Sequence, residues 1–177
     1  MLKKIVIGLI VLGAVLTVVI IRQPDQFRVS RSLTIAAPAA AVFPHINSLR
    51  AYQEWSPWTN LDPNIKIVME GPAAGPGALM KWSGNRQVGE GVMTLTESQS
   101  PHLVRFNLAF LKPFKSTSSV EFTLLPEGKQ TLVTWTMHGA NNFISKAMTL
   151  VMDCDKMIGG DFEKGLAQLK TITEQRS

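Results

Sequence analysis

Few residues in this 177-residue chain are spaced for chemistry. The three histidines, His45, His102 and His138, lack the i, i+4 or HExxH spacing of a metal site. None neighbours an acid or nucleophile in a catalytic arrangement, so each reads first as a surface or structural histidine. The single cysteine, Cys154, cannot form an internal disulfide, and no CxxC or Cys/His cluster suggests zinc. Asp153 and Asp155 flank it and work against a thiolate, which favours an inert buried thiol. No metal and no other cofactor is expected. Among the carboxylates, Glu90 stands between Gly89 and Gly91, where backbone can pack closely around it. It is the candidate general acid or base, and its plainer reading is a bulge or surface residue. Glu54, Glu70 and Asp153 are further options, and no two carboxylates are spaced as a catalytic pair. The run GPAAGPG at 71–77 is rich in glycine but lacks the Lys-Ser/Thr ending of a phosphate loop. It also joins strand to strand, with no helix N-terminus to hold a phosphate.

The elements that must position these residues follow from periodicity. At 27–35 the apolar residues Phe27, Val29, Leu33 and Ile35 share one strand phase, interrupted by Arg31. Pro38 suits the first turn of a helix over 39–46, and a second short helix is expected over 49–55, ended by Ser56-Pro57. Six period-two segments follow, at 64–70, 77–84, 88–97, 103–112, 116–125 and 130–139, punctuated by glycine and proline. About seven strands with short connections make an antiparallel sheet. A hairpin centred on Pro113 pairs Phe106 with Val120, Val104 with Phe122, and Arg105 with Glu121. A two-residue Glu127-Gly128 turn pairs Val120 with Trp135 and Phe122 with Val133. The tail over 141–175 is helical, with a stripe through Phe143, Ala147, Leu150, Val151, Cys154 and Ile158, then Phe162, Leu166, Leu169 and Ile172. A kink is expected at Gly159-Gly160, with Asp161 capping the second piece.

The first 26 residues differ in kind. IVIGLIVLGAVLTVVII at 5–21 carries no charge and lies at the short end of a bilayer-spanning helix. A cleaved signal peptide would end in small residues, whereas this run ends in VVIIRQPDQF, so an uncleaved signal anchor is favoured. A buried core helix is disfavoured because every face is apolar. Lys3 and Lys4 hold the N-terminus in the cytoplasm and send the remaining chain across the membrane, to the periplasm in a Gram-negative cell. Residues 1–26 thus form an anchor with its linker, and 27–177 form one domain.

The formal charge of +5 divides accordingly. About +2 belongs to the anchor segment and about +3 to the domain, with no run of Lys/Arg and no basic stripe with interleaved aromatics. Nucleic acid is therefore not an expected partner.

A β-α-α-β6-α order with a long C-terminal helix resembles the helix-grip fold of the START-like superfamily, in its SRPBCC, or polyketide cyclase/dehydrase-like, branch. The likeness rests on APAAAVFPHINSL (37–49), WSPW (55–58), Asp62-Pro63, EGPAAGPGALMKWSG (70–84), GEG (89–91), LKPF (111–114), TLVTWTM (131–137) and GGDFEKGLAQLK (159–170), over about 27–175. It implies an α+β fold: a curved antiparallel sheet around the C-terminal helix, with a pocket between them for an apolar or amphipathic ligand. It implies no particular reaction.

Large and adaptable hydrophobes would line that pocket: Trp55, Trp58, Trp82, Trp135 and Phe106, with Met80, Met93, Met137, Met148 and Met152. Core packing is the competing role for each. The leading functional reading is a membrane-anchored module that binds a lipid or other hydrophobic small molecule. The rivals are a cyclase, dehydratase or hydrolase acting in the same pocket, and an interaction protein whose pocket is vestigial.

Overall fold

The computed structural model describes residues 1–175. Helix α1 (Leu2–Ile21) projects from the rest of the molecule, and Ile20 is its only buried residue. It is long and apolar enough to cross a membrane by length and composition. Strand β1 (Gln26–Ile35) begins almost at once behind it, followed by α2 (Ala39–Asn47) and α3 (Leu49–Tyr52). The remaining strands are β2 (Lys66–Glu70), β3 (Leu79–Ser83), β4 (Glu90–Gln99), β5 (Leu103–Lys112), β6 (Ser116–Glu127) and β7 (Gln130–Ala140). The chain then forms α4 (Phe143–Met148) and α5 (Cys154–Glu174).

The seven strands make one sheet in the order β1-β7-β6-β5-β4-β3-β2, antiparallel at every step. Successive strands are neighbours because each connection is short; only β1 departs, closing beside the last strand. Residues alternate across the sheet, so one phase of every strand faces α5 and the other faces solvent. The inward phase supplies the core: Val29 and Ile35, Met80, Met93 and Leu95, Val104 and Phe106, Val120 and Phe122, Val133 and Trp135. Phe162, Leu166 and Leu169 of α5 and Val42, Phe43 and Ile46 of α2 close it from above.

The hairpin between β5 and β6 has the expected register, with Phe106 opposite Val120 and Val104 opposite Phe122. On its outer face Arg105 Nε donates to Glu121 at 2.6 Å, and Arg105 also pairs with Glu97. The hairpin between β6 and β7 is shifted by two residues from expectation. Val120 lies opposite Met137 and Phe122 opposite Trp135, with Gly128 and Lys129 as the turn. Gly128 has φ +66 and every non-glycine φ is negative among the described residues, so the glycine takes the first central position. A shift of two preserves the inward phase, so the core is unaffected.

The C-terminal segment departs further. It breaks at 149–153 rather than at Gly159-Gly160, and α5 runs unbroken through both glycines. The caps explain the break. Asn142 accepts from the Ser145 amide at 2.8 Å to start α4, and Asp153 accepts from the Lys156 amide at 3.0 Å to start α5. Asp161 lies within α5, where it accepts from Lys164 Nζ at 3.0 Å. Cys154 consequently opens α5 rather than lying mid-helix.

Candidate functional site

The registers arrange the inward side chains in rows across the sheet. One row carries Phe122 and Trp135 toward Arg31, whose guanidinium crosses to α5. Arg31 Nη2 donates to Asp155 at 2.8 Å and Nε to Glu163 at 2.8 Å. These two partners hold the guanidinium more strongly protonated than usual, and Arg31 in turn holds the Asp155 carboxyl below the ordinary carboxylate range. The Arg31 that interrupts the apolar phase of β1 is thus the strand's clamp on α5. Gly159 makes room for it: a Cβ there would lie 2.1 Å from Nη2.

Around Trp135 the interior is closed by aromatic rings. Trp135 stacks on Phe162 with centroids 4.1 Å apart, and Trp55 and Trp58 meet it edge-on at 5.6 and 5.7 Å. Tyr52 meets Trp55 edge-on at 4.8 Å, and burial pushes its hydroxyl pKa upward. Gly165 lets α5 approach, since a Cβ there would lie 2.8 Å from the Trp135 ring. Trp55 Nε1 donates to the His45 carbonyl at 2.9 Å, and Trp58 Nε1 donates to Asp161 at 3.3 Å. The buried Nε1 of Trp135 has no acceptor.

Toward the other end of the same face, burial becomes incomplete. Phe27 on β1, Met137 on β7, Leu108 and Phe110 on β5, Trp82 on β3 and Ile67 and Met69 on β2 are half-buried. Trp82 meets Phe110 edge-on at 5.5 Å, and its ring lies over Gly91, where a Cβ would come within 2.3 Å of it. Trp82 Nε1 donates to the Val88 carbonyl at 3.1 Å. Gly139 likewise admits the Phe27 ring, beside the buried Ser118. The result is an apolar strip that is sealed by aromatics at one end and only half-covered toward the end where β1 begins and β7 finishes.

Of the residues expected to line a pocket, Trp55, Trp135, Phe106, Met80 and Met93 are buried, and Trp58, Trp82 and Met137 are half-buried on the inward side. Met148 and Met152 are exposed, on α4 and the turn behind it. Two surface hollows lie elsewhere. One of about 360 Å³ is bounded by Glu54, Ala167, Gln168, Thr171 and Ile172, and one of about 190 Å³ lies between α3 and the β2–β3 loop. None of the ten residues lines either hollow.

The polar candidates stand apart from this face. Glu90 is on the outward phase at the start of β4, where it accepts from Lys112 Nζ and Ser83 Oγ, both at 3.0 Å. These partners, Lys112 foremost, hold its carboxyl below the ordinary range. Glu70 pairs with Lys81 at 2.6 Å. His138 is exposed in β7 and His102 is exposed at the end of the β4–β5 turn. No group of three or more His, Cys, Asp or Glu able to hold a metal occurs among the described residues. Asp62 went unremarked as a site residue. Its buried carboxylate accepts from the Asn85 amide at 2.6 Å and the Asn64 amide at 2.9 Å, stapling the loop after α3 to the β3–β4 turn.

The sequence profile of the polyketide cyclase/dehydrase and lipid transport family matches residues 26–174. The chain belongs to that family. Solved structures share its fold at low identity. The Zhui aromatase/cyclase from Streptomyces sp. R1128 superposes with a TM-score of 0.61 at 14% identity, covering 85% of this chain and 95% of that one. A protein from Thermobifida fusca gives 0.61 at 22% identity, covering 84% and 93%. A protein from Chromobacterium violaceum gives 0.59 at 15% identity, covering 85% and 98%. No curated protein matches. The helix-grip architecture of this START-like family is the one built above: a seven-stranded antiparallel sheet curved against a long C-terminal helix. The family's description names polyketide cyclases, dehydrases and lipid transport.

Proposed function

We propose that the protein is a membrane-anchored binding module that holds a lipid-like or other hydrophobic small molecule between the sheet and α5. The carrying observation is the strip of Phe27, Met137, Leu108, Phe110 and Trp82, only half-covered toward the end where β1 begins. Half-buried apolar side chains gain free energy when a ligand covers them, and this strip offers few polar groups to specify a reaction. The linker from Arg22 to the start of β1 is a few residues long and reaches on the order of 17 Å when extended. A domain so tethered stays near the bilayer, where apolar ligands are concentrated. Lys3 and Lys4 favour a cytoplasmic N-terminus, placing the domain on the far side of the membrane.

The test uses the full-length protein extracted from its membrane in mild detergent. Native mass spectrometry is expected to find one apolar molecule bound per chain, or uptake of an added fluorescent fatty acid. Leu108→Gln, which puts a polar group on the strip, is expected to weaken retention about tenfold. A protein that carries no ligand and takes up no fatty acid sinks this reading.

A further inference from the structure

We propose that α4 and the turn behind it, residues 143–152, are embedded in the interfacial region of the bilayer beside α1, together with the β5–β6 hairpin tip. The inference rests on reading α1 as a membrane anchor and extends it to a second, peripheral contact. Within ten residues this segment exposes six large apolar side chains: Phe143, Ile144, Met148, Leu150, Val151 and Met152. Val151 is 83% exposed and Phe143 53%. Elsewhere in the folded domain, the β5–β6 tip apart, exposed hydrophobes are scattered singly, as soluble surfaces allow.

The one charged residue of the segment is turned inward. Lys146 is 8% exposed, and its Nζ donates to the Ile21 carbonyl at 3.3 Å and pairs with Asp25. The lysine thus satisfies the last turn of α1 and ties α4 against the end of the anchor. This leaves the outer surface of 143–152 without charge and continuous with the apolar surface of α1. Register places a second apolar projection at the same end of the sheet. Ser118 lies opposite both Gly139 and Leu108, so the β5–β6 tip turns where β7 finishes. That tip exposes Leu111 and Phe114 beside Lys112, whose Nζ is paired with Glu90, and Lys115. Apolar side chains flanked by lysines suit an interface in which rings and aliphatic groups meet acyl chains and ammonium groups meet lipid phosphates. A lipid surface is therefore the occupant.

The test places an environment-sensitive nitrobenzoxadiazole label at single cysteines in a full-length Cys154→Ser background, in vesicles of phosphatidylcholine and phosphatidylglycerol. The sites are Val151→Cys, Ile144→Cys and Phe114→Cys, with Lys129→Cys at the opposite end of the sheet and Ile10→Cys in α1. Labels at 151, 144 and 114 are expected to be quenched by shallow doxyl lipids at least threefold more than the label at 129. Two segment sites guard against one variant misfolding. If the label at 10 is quenched by deep doxyl lipids while those at 151 and 144 are not, the anchor reading stands and this inference fails. Protection of 151 and 144 from aqueous iodide without lipid quenching assigns the surface to a protein partner and also overturns it. A label at 10 left in water overturns both readings.

Discussion

The guanidinium of Arg31 occupies the space that a side chain at Gly159 would fill. Its Nη2 lies 2.1 Å from the position of a Cβ there, while it donates to Asp155 and Glu163 on either side of that glycine. A charged strand residue on the apolar phase and a glycine in mid-helix each break a local rule. Together they form one joint between β1 and α5.

The two adjacent glycines should therefore respond oppositely to alanine. Gly159→Ala forces the Arg31 clamp aside and is expected to cost about 1–3 kcal/mol. Gly160 has nothing within 4 Å of a built Cβ, so Gly160→Ala should stabilise the chain by about 0.5–1 kcal/mol through helix propensity. Thermal unfolding of the full chain in detergent checks both. Equal shifts of the two midpoints would show that the Arg31 contact carries no energy.

The same joint makes stability depend on acid. The hydrogen bond from Arg31 lowers the Asp155 pKa in the folded protein beneath its usual 3.8. The carboxylate therefore contributes stability that is fully present above that value. The contribution is lost as pH falls through the lower folded pKa. Between pH 5 and pH 2 the unfolding midpoint should drop more steeply for the wild-type chain than for Asp155→Asn. Superimposable slopes would remove Asp155 from the acid response.

Two buried tryptophans of similar burial should differ in what their indole nitrogen contributes. Trp55 donates to the His45 carbonyl, whereas Trp135 Nε1 has no acceptor. Both substitutions to phenylalanine lose ring volume, but only Trp55→Phe breaks a hydrogen bond. It should cost about 0.5–1.5 kcal/mol more than Trp135→Phe, measured by chemical denaturation. The reverse order would indicate that Trp135 is partnered in solution.

Much of this architecture is legible in the residues because its signals are local. Alternation marks all seven strands, and centring the β5–β6 hairpin on Pro113 gives its register, with Arg105 opposite Glu121 as complementary charges. The neighbouring hairpin is harder to read, because Val120 keeps its inward phase opposite either Trp135 or Met137. Only the backbone preference of Gly128 distinguishes the two. The break at 149–153 follows from Asn142 and Asp153 acting as caps, signals weaker than a glycine pair to the eye but stronger than it in the fold. What Gly159 does is set by a residue 128 positions away in sequence, and no periodicity reports that. Tryptophans and methionines on the inward phase are readable as a group. How deeply each is covered depends on where α5 crosses the sheet. Trp135 is sealed and Trp82 half-open for that reason.

The pairing of β1 with β7 has a consequence for the order of assembly. Gln26 finds its partner Ala140 more than a hundred residues later. Synthesis delivers β1 directly behind α1, and the strand must wait for nearly the whole chain before its edge is covered. Closure over so long a loop is slow, and an unpaired strand edge invites association with other chains. A strand joined so closely to α1 has its movement during that wait confined to the reach of a few residues. The short link between α1 and β1 thus also shapes how the domain is made.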